Sequence, residues 1–147
     1  MYQKILVPTD GSTLSKKAVR SAVELAASVG AEVVALNVVP RYPMSYFEGG
    51  IDIPASEVAR TEKQWAEHGQ ALADEVGKAA GKAGVKAKAI TVRSDLVAEA
   101  ILAAARKNKC DLIVMASHGR RGLKRLLLGS ETQNVLTHGT IPVLVLR

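Results

Sequence analysis

Apolar residues follow two rhythms along this chain. Short, mainly apolar runs at 5–7, Glu32–Val39, Leu112–Ala116 and 141–146 predict strands, that at 5–7 buried and that at 112–116 buried on both faces. A fifth run, VKAKAITV at 85–92, alternates instead and predicts a strand with one wetter face. Between the runs the spacing changes to three and four. Leu14, Ala18, Ala22, Leu25, Ala26 and Val29 make one face of an amphipathic helix, which Gly30 ends at a C-cap position. A second helix begins at Ser56, with Val58, Trp65, Leu72 and Ala79 seven apart and Val76 beside them. That stripe is expected to pack on a sheet, and Gly77, Gly81 and Gly84 to loosen the helix end. Arg93, Ser94 and Asp95 cap a helix over 96–107, with Ile101, Leu102 and Ala105 inward. A short helix after Ser130, carrying Val135 and Leu136, ends near Gly139.

The resulting order is β-α-β-α-β-α-β-α-β. It predicts an α/β fold: a single doubly wound, five-stranded parallel sheet with helices on both faces, Rossmann-like in plan. The chain has 147 residues, which fits one domain over 1–147 with a full-sized core. Nearly half the residues are apolar, yet one Trp, three Tyr and one Phe are the only aromatics. Such Ala, Val, Leu and Ile usage favours helices on a parallel sheet over a sandwich.

The connections carry the candidate chemistry. In a doubly wound sheet, ligands bind beyond the carboxyl ends of strands where the strand order reverses. Three stretches lie at such ends: Pro8-Thr9-Asp10, Val38-Val39, and 116–119. Asp10 can accept hydrogen bonds from ribose hydroxyls or serve as a turn or cap residue, and the two roles use different oxygens. Residues 111–131 are the most informative stretch. A buried strand breaks at Ser117-His118-Gly119 and crosses Arg120, Arg121, Lys124 and Arg125, and Gly129-Ser130 then opens a helix. Main-chain N–H groups at a helix N-terminus face an anion, and the helix dipole favours negative charge there. Neither a Walker A motif nor a G-x-G-x-x-G fingerprint occurs. Residues 41–54 hold Tyr42, Tyr46 and Phe47 among prolines and glycines. This irregular loop either covers a ligand or is pinned to the core by its aromatics.

Net charge of +6 suits anionic small molecules, but without interleaved aromatics or a known motif no nucleic-acid partner is expected. The one cysteine, Cys110, excludes an intramolecular disulfide and reads as a structural thiol. Scattered histidines (His68, His118, His138) give no metal-ligand spacing. No run approaches the roughly eighteen apolar residues of a membrane span. The N-terminus carries no signal-peptide pattern, so a soluble, cytoplasmic protein is expected.

The stretch ASHGRRGLKRLLLGS resembles the nucleotide signature of the universal stress protein family, G-x-x-G, nine residues, then G-[ST]. Gly119, the nine residues 120–128 and Gly129-Ser130 fit its spacing. The opening KILVPTDGS, the PVLVL ending and the element order match as well. The resemblance implies an adenine nucleotide alpha hydrolase-like fold and an adenine nucleotide ligand, ATP, ADP or AMP, with Mg2+ or Mn2+ entering through the phosphates. By resemblance, Pro8, Thr9 and Asp10 line the adenosine, Val38 packs on adenine, and Met115 and Ala116 lie at the ribose side. Gly119, Gly129, Ser130 and the Glu131 N–H cradle phosphates, Arg120 is the basic side chain best placed to reach them, and His118 shapes the loop or joins them. The expected role is a homodimeric stress-response or signalling module, paired through the C-terminal strand. It is not an enzyme beyond slow ATP hydrolysis; the alternative is a relative that binds no ATP and acts through partners. Two positions bear on the ligand. Ala116 stands at the first signature glycine, which matters only if the backbone there needs positive φ. The Glu131 carboxylate opposes a triphosphate unless it points away or a metal intervenes.

Overall fold

The first strand, β1 (Lys4–Pro8), is apolar enough to be buried on both sides, and the chain winds outward from it in both directions. The structure is a computed structural model that describes residues 1–43, 53–119 and 128–147. It contains α1 (Thr13–Val29), β2 (Glu32–Val39), α2 (Ala55–Lys82), β3 (Ala87–Arg93), α3 (Val97–Lys107), β4 (Leu112–Ala116), α4 (Ser130–His138) and β5 (Val143–Leu146). All strands run parallel in the order β3-β2-β1-β4-β5. The chain moves one way from β1 to β3 and then returns to the other side of β1 for β4. The strand order therefore reverses between β1 and β4, and their carboxyl ends flank a crevice.

Two apolar layers sandwich the sheet. On one face Ile5, Val7, Val33, Ala35 and Val114 meet α1 and α2 through Ala18, Ala22, Ala26, Ala73, Val76 and Ala80. On the other, Leu6, Leu36, Ile113 and Met115 meet α3 and α4 through Ile101, Leu102, Ala105 and Val135. Each Leu or Ile side chain buried in this way contributes about 1.5–3 kcal/mol. Alanines on the helix faces let the helix backbones lie close to the strands, as the composition suggests.

α2 departs from the expected pattern. The buried positions are Gly69, Ala73, Val76 and Ala80, whereas Val58, Trp65 and Leu72 are half-buried and Ala79 is exposed. The heptad stripe thus borders the interface, and a row of small residues forms its centre. Size explains the difference, because only small side chains fit where the helix lies closest to β2. Gly77 and Gly81 do not loosen this helix, which continues to Lys82; Gly84, at φ 72°, follows its end. β3, an edge strand, is half-buried on both faces along most of its length rather than wet on one, with Ala87 and Ala89 against one apolar layer and Ile90 and Val92 against the other.

Candidate functional site

The carboxyl end of β1 becomes a tightly bonded turn. Thr9 N–H still donates to Leu36 O, which extends the β1–β2 ladder by one residue. The chain then turns, and Gly11 adopts φ 79°, a left-handed conformation that a side chain would resist. Ser12 is the N-cap of α1, its Oγ accepting from Ser15 N–H at 3.2 Å. Asp10 is a turn residue, with Oδ1 accepting from Ser12 N–H at 2.9 Å. Its other oxygen, Oδ2, lies toward Gly119, where an added Cβ would come within 2.7 Å of it. The Thr9 side chain is 7% exposed and turned inward, its Oγ1 accepting from Gly11 N–H. Pro8, half-buried, precedes it.

The end of β4 supplies the opposing wall. Met115 is buried in the α3–α4 layer, so its side chain is core. Ala116 sends its methyl toward the α1 layer. Lys109 is the only non-glycine with positive φ among the described residues, so Ala116 lies outside the left-handed region. Its methyl therefore carries no backbone penalty. Val38, half-buried at the end of β2, packs on the α3 side of the sheet. Ser117 is buried, and its hydroxyl lies 3.2 Å from His118 Nδ1. His118 is half-buried and Gly119 exposed. Arg120 lies outside the described residues, as do Arg121, Lys124, Arg125, Tyr46 and Phe47. Tyr42 stacks on Trp65 with ring centroids 6.0 Å apart, which ties the start of the 41–54 loop to α2.

α4 then brings its N-terminus against that wall. Gly129 N–H donates to Ser117 O, and a Cβ on Gly129 would lie 3.1 Å from that oxygen and 3.2 Å from His118 Cα. Thr132, 2% exposed, donates its hydroxyl to Ala116 O at 2.9 Å. Ser130, the first residue of α4, is exposed. Glu131 resolves the electrostatic question the sequence raises. Its Oε2 accepts from Ala98 N–H, in the first turn of α3, at 2.9 Å. The carboxylate is spent on capping a neighbouring helix that has no side-chain cap of its own. Asp95, expected to cap α3, instead accepts from Arg41 N–H, while Ser94 Oγ accepts from Leu96 N–H.

Two residues that the sequence pattern did not single out prove central. Asn37, 5% exposed in the middle of β2, donates its Nδ2–H to Thr9 O at 2.8 Å. Thr132 holds α4 to β4. A polar residue within an otherwise apolar buried run was the available signal for Asn37.

The switch point thus brings together the Thr9–Gly11 turn, Ser117 to Gly119 and the N-terminus of α4, with Asp10 Oδ1 and Glu131 Oε2 accepting from Ser12 and Ala98 N–H groups. Among the described residues, no group of three His, Cys, Asp or Glu side chains could hold a metal ion. A separate open recess of about 160 Å³ lies between α1 and α2, lined by Lys16, Val19, Leu72 and Glu75 as well as Thr9 and Gly11. It lies on the α1–α2 side of the sheet and shares the Thr9–Gly11 turn with the switch point. The switch point differs from it in joining Gly119 to the N-terminus of α4 where the strand order reverses.

A parallel sheet whose order reverses beside a glycine-lined crevice defines a doubly wound α/β protein with a switch-point site. A model of the universal stress protein family matches residues 1–147. Universal stress protein MJ0531 of Methanocaldococcus jannaschii is 37% identical over 149 residues, a match covering all of this chain and 83% of that protein. The chain belongs to the universal stress protein family. Among solved structures, that of protein MJ0577 from the same archaeon superposes with a TM-score of 0.84 at 29% identity, covering 99% of this chain and 96% of the other. A universal stress protein solved in complex with cAMP superposes at 0.71 with 28% identity, covering 99% and 97%. No helix among the described residues is long and apolar enough to cross a membrane.

Proposed function

We propose that the β1–β4 crevice binds an adenine nucleotide, ATP or its shorter relatives ADP and AMP, and that the protein acts as a nucleotide-responsive stress-signalling module. One observation carries this reading: bare Gly119 lies beside Asp10 and next to the N-terminus of α4, whose Glu131 carboxylate is drawn away to Ala98 N–H. With its carboxylate drawn to Ala98, the first turn of α4 offers N–H groups and a positive dipole end to phosphate. Asp10, with Oδ1 fixed in the turn, lies where ribose hydroxyls would meet it. The cAMP complex of the 28% identical relative supports the ligand class. Any Mg2+ or Mn2+ would enter on the phosphates, whose oxygens are hard ligands suited to such ions.

Binding is the function we assign, with hydrolysis at most slow. Turnover no faster than that of a Gly119→Val, Ser130→Ala double variant fits this assignment; turnover well above it would make the protein an ATPase. In our reading the protein is a cytoplasmic homodimer paired through β5. That strand is a sheet edge with Leu144 exposed and Leu136 of α4 also exposed, and an unpaired apolar edge invites pairing. Sedimentation at micromolar concentration should give twice the monomer mass, and Leu144→Lys should return it to monomer. A nucleotide-free family member acting through partners would instead yield no nucleotide when the purified protein is denatured and its supernatant run on an anion-exchange column.

A further inference from the structure

Asn37 stands where a strand buried on both faces should carry an apolar side chain. Asn is a poor strand former, and burying its amide is unfavourable unless the amide is bonded. The donor is used at Thr9 O, 2.8 Å away and buried. That carbonyl belongs to the peptide joining Thr9 to Asp10, at the point where β1 leaves the ladder and begins the site turn. Space on the other side of the amide is equally restricted. α2 passes over Asn37 at Gly69, where a Cβ would overlap Asn37 Oδ1 and approach Val39 Cγ1 to 2.7 Å. The amide is thus held between the turn and a helix whose surface is glycine at that point. Gln70, the next residue, ties the same helix to β3 by donating to Ala89 O and accepting from Thr91 Oγ1. α2 is therefore tied to β3 directly beside Asn37.

We infer that Asn37 is a positioning residue of the nucleotide site, setting the Thr9–Asp10 peptide from behind, and that Gly69 of α2 is the surface that holds its amide in place. Asn37 does not touch the ligand; it acts through the turn. The effect on affinity rests on the nucleotide reading above, whereas the effect on the turn does not.

The test therefore begins with the ligand-free protein. Asn37→Leu keeps the branched four-atom outline of the side chain and removes the donor. Hydrogen exchange at Gly11 and Ser12 N–H should quicken about tenfold, the order expected when one buried hydrogen bond is lost. Val85→Ala, a buried change remote from the turn, should leave these two amides unchanged relative to the rest of the protein. Gly69→Ala should reproduce the faster exchange although alanine favours a helix, because its methyl displaces the amide. In stability, Asn37→Ala combined with Gly69→Ala should lose less than the two single changes summed, since the new methyl occupies vacated space. ATP affinity should fall about tenfold in Asn37→Leu, in step with the lost bond. Unchanged exchange at Gly11 and Ser12 in Asn37→Leu, or a Gly69→Ala protein indistinguishable from the parent, overturns the inference. If the parent binds no nucleotide while the exchange results hold, the nucleotide reading fails and the positioning role stands.

Discussion

The two ends of the sheet use the same kinds of residue in opposite ways. At the amino ends, charged side chains close the surface. Asp111 accepts from Gln3 and Lys4 N–H groups at 2.9–3.1 Å, which fastens the start of β1 to the start of β4. Glu32 lies between Lys4 and Lys86, at 3.6 and 3.3 Å. There Asp111 occupies strand N–H groups that would otherwise be free, and the Glu32 carboxylate is held by two lysine ammonium groups. At the carboxyl ends, Asp10 Oδ1 and Glu131 Oε2 accept from Ser12 and Ala98 N–H groups, Asp10 Oδ2 lies toward Gly119, and the exposed residues are Gly119 and Ser130. The lesson concerns where acids point. An acid next to a presumed phosphate site opposes the ligand only if its charge faces the site, and a nearby helix start provides an alternative direction.

The largest expected effect tests the open end. Gly119→Val places a branched side chain against Asp10 Oδ2 and should abolish measurable nucleotide binding in calorimetry. Gly119 is exposed, so the melting temperature should hardly move; a large drop in melting temperature would make the glycine structural instead.

Glu131 separates charge from capping. Glu131→Ala removes the cap of α3 and should lower stability by about 1 kcal/mol. Glu131→Gln keeps an acceptor for Ala98 N–H and should retain most of that stability. If both variants bind ATP more tightly than the parent, the carboxylate faces the phosphates after all.

The closed end gives a pH signature. Burial pulls the Asp111 carboxyl upward, but the N–H groups of Lys4 and Gln3 outweigh it and hold it below 3.8. A depressed folded pKa adds stability above the ordinary carboxylate range and loses it as pH falls through the folded value. Asp111→Asn should therefore melt about 3 °C lower at pH 7, with the difference shrinking toward pH 2 and nucleotide affinity unchanged. Melting curves at several pH values check both parts.

The smallest effect is at Cys110, just before β4 and 6% exposed. Burial pushes its thiol up to about 11, with Asp111 adding to the rise and Lys4 opposing it. A thiol raised from 9.0 stabilises the fold below that pH and loses its contribution as pH climbs toward 11. Native protein should react slowly with a thiol reagent at pH 8 and rapidly once unfolded.

These contrasts also mark what the sequence makes legible. Strand and helix order follows from periodicity, because a buried parallel strand and an amphipathic helix leave different spacings. The signature spacing places Gly119 and Gly129-Ser130 at the crevice. Long-range partners are not legible in this way. Nothing near Glu131 in the chain announces Ala98, which lies 33 residues earlier. The α2 stripe misleads for a related reason. Large apolar residues dominate a pattern, while the closest packing belongs to Gly69 and Ala73, which spacing rules barely weigh. Asn37 is visible as an oddity in an apolar run, but its partner at Thr9 needs the register of β1 against β2.

The central claim is that the glycine-lined end of the sheet receives an adenine nucleotide, and titration of labelled ATP at physiological salt tests it most directly. Saturable binding with one site per chain, lost in Gly119→Val and kept in Asp111→Asn, is the predicted result. No saturable binding up to millimolar nucleotide, or equal binding by both variants, would contradict it.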